Sequence, residues 1–176
     1  RGDELEVKFG TKHYNQITQT DFDNIIQKLK SLGFQEIKEE YYLNINTEYV
    51  DDRTGKMRDS NIRVTINGVS NIQKYCKENM IYEDKLEGIT FMQKFRKKDG
   101  RDGEILYPID FHDFHFRVNY KTERDMTPNV ASGSIDIRPE ISAMIDSWKD
   151  TKKTFRFIKR YSFKSQSHRN LYPYQF

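Results

Sequence analysis

The chain has 176 residues, with 30 Lys and Arg against 27 Asp and Glu and a formal charge of +3. That excess is too small to mark a nucleic-acid binder by net charge. Aromatic residues make up 14% of the chain, which excludes full disorder. No apolar run approaches the roughly 20 residues that a membrane-spanning helix needs, and no secretory leader is visible. The one cysteine, Cys76, excludes an intrachain disulfide framework and a thiolate metal cluster. The length predicts a single domain over 1–176.

ELEVKFG alternates. Glu4, Glu6 and Lys8 share one parity and Leu5, Val7 and Phe9 the other, which predicts a strand with a charged face and a core face. Phe22, Ile25, Ile26 and Leu29 recur at helical spacing over 21–32, with Thr20 as cap, Asp23 as its partner and Gly33 as the stop. YYLNINTEYV reads as a strand, the turn around Thr54-Gly55 follows, and SNIRVTING is its partner, with Ile62, Val64 and Ile66 toward the core and Arg63 opposite. A short helix over 70–79 would carry Ile72, Tyr75 and Cys76 on one stripe, with Cys76 buried and inert. GITFMQKFRKK and FHDFHFRVNYKTE read as further strands, 124–138 as a loop, 141–148 as a helix and FRFIKRYSF as a last strand. The fold expected is α+β, a predominantly antiparallel β-tunnel or barrel with short peripheral helices. Hairpin-like connections disfavour a doubly wound parallel sheet.

Two carboxylates on one side of a strand, Glu4 and Glu6, lie about 7 Å apart along the chain and can offer hard oxygen donors to a divalent cation. Lys8, on the same parity, can touch a phosphate or balance them. Arg63, Lys94, Arg96, Arg117, Lys121, Arg156 and Arg160 each alternate with apolar neighbours, so one sheet face is predicted to be systematically cationic. Cations held that close repel one another across an open sheet. Around a polyphosphate they would neutralise its equatorial oxygens. The plain alternative is a solvated, charge-alternating strand edge. His13, His112, His115 and His168 read as structural or exposed, and Trp148, Tyr161 and Phe163 as packing residues.

ELEVKF resembles the ExExK opening of the triphosphate tunnel metalloenzymes. Together with the following helix, the YCK of 75–77, the RVNYKTE segment and KRYSF, it is more specifically similar to the RNA triphosphatase domain of large DNA virus mRNA-capping enzymes. The resemblance implies a β-tunnel that removes the γ-phosphate of 5′-triphosphate RNA with Mg2+ or Mn2+. Glu4 and Glu6 match its metal-binding glutamates and Lys8 its basic member. Arg63, Arg96, Arg117, Arg156 and Lys159 fall in segments resembling the phosphate-binding strands. Lys94, Lys121 and Arg160 compete with them, because a bulge shifts parity.

The resemblance also implies neighbouring capping-enzyme domains or a viral subunit as partners, no membrane, and a place in the virion or infected-cell cytoplasm. One departure stands out. The family's second glutamate motif, ExE on a later strand, has no counterpart, since no acidic residue follows Phe163 and Glu36, Glu39 and Glu40 open a different strand. The expectation is therefore an N-terminal part of a larger capping enzyme. The alternatives are a non-catalytic module that binds RNA ends or a viral protein, and a nucleoside triphosphate or polyphosphate hydrolase.

Overall fold

The computed structural model describes residues 2–10, 17–51, 53–98, 103–128, 136–165 and 174–175. Its strands are β1 (Gly2–Phe9), β2 (Phe34–Val50), β3 (Met57–Asn67), β4 (Ile89–Arg96), β5 (Ile109–Phe111), β6 (Phe116–Asp125), β7 (Lys153–Ser165) and β8 (Tyr174–Gln175). The helices are α1 (Gln19–Ser31), α2 (Val69–Glu78) and α3 (Pro139–Asp146). The strand order is β1-β6-β4-β3-β2-β7-β8, with β5 paired to β6. β2 with β3, β3 with β4, β5 with β6 and β7 with β8 all pair antiparallel. The α+β class with a mainly antiparallel sheet and short helices is the one expected. His13, His168 and Arg169 lie outside the described residues.

The chain divides into two compact units, and several strands run from one into the other. The first comprises Arg1–Asp3, Tyr41–Phe95 and Lys121–Ile158. It holds the hydrophobic core. Leu43 and Ile45 on β2, Ile62, Val64 and Ile66 on β3 and Phe91 on β4 are buried together with Ile72 and Tyr75 of α2 and Ile141 and Ile145 of α3. Trp148 is fully enclosed and meets Tyr75 edge-on, with ring centroids 6.1 Å apart. The alternation in SNIRVTING therefore works as predicted. Cys76 does not: it is exposed. One residue along a helix turns about 100°, and the buried stripe of α2 is Ile72 and Tyr75. Gly88 closes the turn before β4 at φ +72°, and its carbonyl accepts from Asn67 N at 2.8 Å.

The second unit comprises Glu4–Glu40, Arg96–Tyr120 and Lys159–Phe176. Its helix α1 begins two residues earlier than the spacing predicts. Thr18, not Thr20, is the cap: Asp21 N donates to Thr18 Oγ1 at 3.2 Å, and Thr18 N donates to Asp21 Oδ2 at 2.9 Å. The sequence offers the same Thr-x-x-Asp spacing twice. Asp23, the partner expected for Thr20, instead accepts from Gln19 Nε2 at 2.8 Å. The strand predicted over 111–123 is interrupted. His112–Phe114 form a 3-10 turn that ends at His115 in the left-handed region, φ 52°, so the ladder restarts at Phe116.

Candidate functional site

The first unit presents one sheet face opposite its core. Register places Arg63 beside Asn46 of β2 and Met92 of β4, and Thr65 beside Asn44 and Thr90. Thr65 Oγ1 donates to Asn44 Oδ1 at 2.7 Å. These side chains, with Lys94, Lys121 and Glu123, are half-buried rather than solvated. Burial of so polar a strip departs from the usual sorting of residues. Lys94 is ion-paired with Glu123, their side chains 24% and 23% exposed. Lys121, two residues before Glu123 on β6, shares its side by strand parity. Arg63 Nε is buried and makes no hydrogen bond among the described residues.

On β7 the rings of Phe155 and Phe157 lie against Tyr75 of α2, at 6.3 Å, and Tyr41, at 6.0 Å. Phe155 and Phe157, themselves 55% and 60% exposed, thus lie on the α2 side of β7, and parity puts Arg156, also exposed, on the other. Within this unit Arg63, Lys94, Lys121 and Arg156 therefore share the polar side of their strands.

In the second unit β1 reverses its expected polarity. Leu5, Val7 and Phe9 are 69%, 47% and 63% exposed, so the predicted core face is the open one. Glu4 and Glu6 are the half-buried residues of the strand. Alternation shows that two faces differ, but the pairing of β1 with β6 decides which one turns outward. Phe9 meets the Phe116 ring at 5.9 Å, and Phe116 stacks on Phe111 at 4.6 Å. Lys8 Nζ lies 3.2 Å from Glu6 Oε2.

Other candidates of this unit have definite neighbours. Arg117 grips Asp110 with two hydrogen bonds, from Nε at 2.6 Å and from Nη2 at 2.7 Å. The bond from Arg117 holds the Asp110 carboxyl below the usual range, and the same bond holds the guanidinium above its own. Arg96 lies over the Tyr107 ring at 5.5 Å. Lys159 lies 3.2 Å from Glu39 and over the Tyr161 ring at 4.7 Å. Tyr161 in turn meets Phe22 of α1 at 5.7 Å. Lys159 thus sits on the α1 side of β7, and Arg160, of opposite parity, faces away from it.

Glu4 and Glu6 are hard oxygen donors on one side of one strand, and their chemistry fits a divalent cation of the magnesium or manganese kind. Among the described residues no group of three or more His, Cys, Asp or Glu is placed to hold a metal ion. Glu123 and Asp110 are not among the residues expected from the sequence. The signal for Glu123 was present, since it shares parity with Arg117 and Lys121 in RVNYKTE.

No known protein family profile matches the chain, and no curated protein matches it. Solved structures do. A crystal structure of the RNA triphosphatase domain of a trifunctional mimivirus mRNA capping enzyme is 14% identical, with a TM-score of 0.53 over 92% of this chain and 64% of that one. A triclinic structure of the mimivirus capping enzyme triphosphatase is 15% identical, also with a TM-score of 0.53, over 92% of this chain and 65% of that one. The chain has the fold of these viral triphosphatase domains and spans just under two thirds of their length.

Proposed function

We propose that this chain belongs to an RNA 5′-triphosphatase of viral mRNA capping and removes the γ-phosphate of nascent 5′-triphosphate RNA. The observation that carries the reading is the reversal in β1. A strand that exposes Leu5, Val7 and Phe9 while half-burying Glu4 and Glu6 runs against the transfer free energies of those side chains. Such local contradictions gather where function overrides stability. The likeness in fold and the half-buried cationic strip of the first unit support the same reading.

Glu4 and Glu6 would hold Mg2+ or Mn2+, with Lys8 beside them. When bound, such a cation polarises a phosphoryl oxygen. Arg63 and Arg156 are assigned to the charge that develops on the transferred phosphoryl group. Lys94, Arg96, Arg117, Lys121, Lys159 and Arg160 are assigned to holding the rest of the polyphosphate. Partner domains of a capping enzyme or a viral subunit, and a place in the virion or infected-cell cytoplasm, belong to the same proposal.

The test is release of labelled γ-phosphate from 5′-triphosphate RNA with Mg2+ or Mn2+. Glu4→Ala and Glu6→Ala should each lower the rate by about 100-fold or more, the scale of losing one preorganised electrostatic group, with an unchanged circular dichroism spectrum. Full activity in either variant overturns the assignment. The described residues hold no third metal-binding side chain near at hand, which favours one second reading. A non-catalytic module would keep affinity for RNA ends and release no phosphate with any divalent metal.

A further inference from the structure

Glu123 lies on the polar side of the first unit, ion-paired with Lys94, and each side chain keeps only about a quarter of its exposure, 23% and 24%. Exposed ion pairs are worth little, and enclosed ones recover little more than their desolvation cost. Stability is therefore a poor reason for this pair. Its surroundings suggest another. Lys94 stands on β4 two residues beyond Met92, which is paired with Arg63, so Lys94 and Arg63 are diagonal neighbours on one face, about 7–8 Å apart in such geometry. Arg63 Nε is buried and makes no hydrogen bond among the described residues. Lys121 shares the side of Glu123 on β6. The Glu123 carboxylate is in direct contact with the Lys94 ammonium.

We propose that Glu123 is the resident counter-ion of Lys94 and makes polyphosphate binding on this face a displacement. This rests on the phosphate-binding reading above and adds a specificity-determining residue to it. A phosphate group that engages Lys94 must take over from a carboxylate already in place. Tripolyphosphate can do so, because it brings several charges and reaches Arg63 at the same time. Orthophosphate cannot. Glu123 acts through Lys94, as a positioning residue, and sets the preference for chain length.

The experiment measures calorimetric binding of inorganic tripolyphosphate and of orthophosphate to the full chain. Glu123→Gln should bind tripolyphosphate about tenfold more tightly, the order expected for removing one like charge at contact range, and should lose much of the discrimination against orthophosphate. Glu123→Asp should restore the wild-type ratio. Lys94→Met should weaken tripolyphosphate binding, and adding Glu123→Gln to it should bring a smaller gain, the relief of repulsion alone. In the wild-type chain the Lys94 side-chain 15N resonance should move on addition of tripolyphosphate and stay in place with orthophosphate.

Wild-type binding with an unchanged or lowered affinity in Glu123→Gln overturns the displacement alone. So does an equal gain in the Lys94→Met background, or a Lys94 resonance that ignores tripolyphosphate. Failure of the wild type to bind tripolyphosphate overturns the phosphate-binding reading, and this inference with it.

Discussion

In the first unit Ile45, Val64 and Phe91 are fully enclosed, whereas α1 of the second unit buries none of its residues, and Leu5, Phe9 and Phe114 there stand open. The first unit is held by long-range burial between β2, β3, β4, α2 and α3. The second relies on local devices: the Thr18–Asp21 capping box, the Asp110–Arg117 pair, and rings such as Phe111 on Phe116. The lesson concerns where substitutions matter. A core side chain in the first unit is coupled to many others at liquid-excluding density, while an apolar side chain in the second is coupled to few.

The largest effect should come from Phe91→Ala, at about 3–5 kcal/mol for a large ring removed from a closed core, read as a drop in the urea midpoint. A loss under about 1 kcal/mol would erase the contrast between the units. Gly88→Ala comes next. Its φ of +72° is strained for an L-residue and the new methyl would fall on the Asn71 amide, so a loss of about 1–3 kcal/mol is expected, measured the same way.

Thr18→Ala should cost about 1 kcal/mol, the usual scale of a lost cap. It should appear as faster hydrogen exchange confined to the first turns of α1, with the amide of Val64 unaffected. Leu5→Ala should change stability by no more than about 0.5 kcal/mol. A large loss would mean that the open face of β1 is closed in solution.

The acid limb sharpens the same contrast. The Asp110 carboxyl is depressed by its bond from Arg117. Its contribution is therefore complete above the ordinary carboxylate value, about 3.9, and is lost as the pH falls through the lower folded value. Asp110→Asn should flatten that part of the stability profile and leave the profile near pH 7 unaltered in slope. An unchanged acid limb would show that Asp110 is paired in the unfolded chain as well, or not in the folded one.

Much of the first unit was legible in the residues. In SNIRVTING the apolar positions are β-branched and strictly alternate, and the packed side can only be theirs, since Arg63 and Thr65 are the alternative. The helix expected over 70–79 lies at Val69–Glu78, and Ile72 and Tyr75, three residues apart, form its buried stripe as helical spacing requires. Cys76 was misplaced because a short polar helix leaves the width of its buried stripe undetermined. The doubled Thr-x-x-Asp spacing hid the start of α1, since both frames satisfy the local capping chemistry and differ by two residues. The candidate cations on even positions of β4 and β7 could be named from parity, but Glu123 could not be matched to Lys94, because β6 and β4 are joined by pairing across the sheet and not by chain adjacency.

The order of residues fixes which positions alternate and sorts acids and bases onto faces, and it marks most strands and helices, though not the 3-10 turn at His112–Phe114. Which of those faces is enclosed follows from packing between segments. Period-two alternation is symmetric between inside and outside, and β1 shows the consequence: its hydrophobic side lies open and its glutamates are half-covered, because the partner strand, not the hydropathy of its own residues, sets the direction in which it turns.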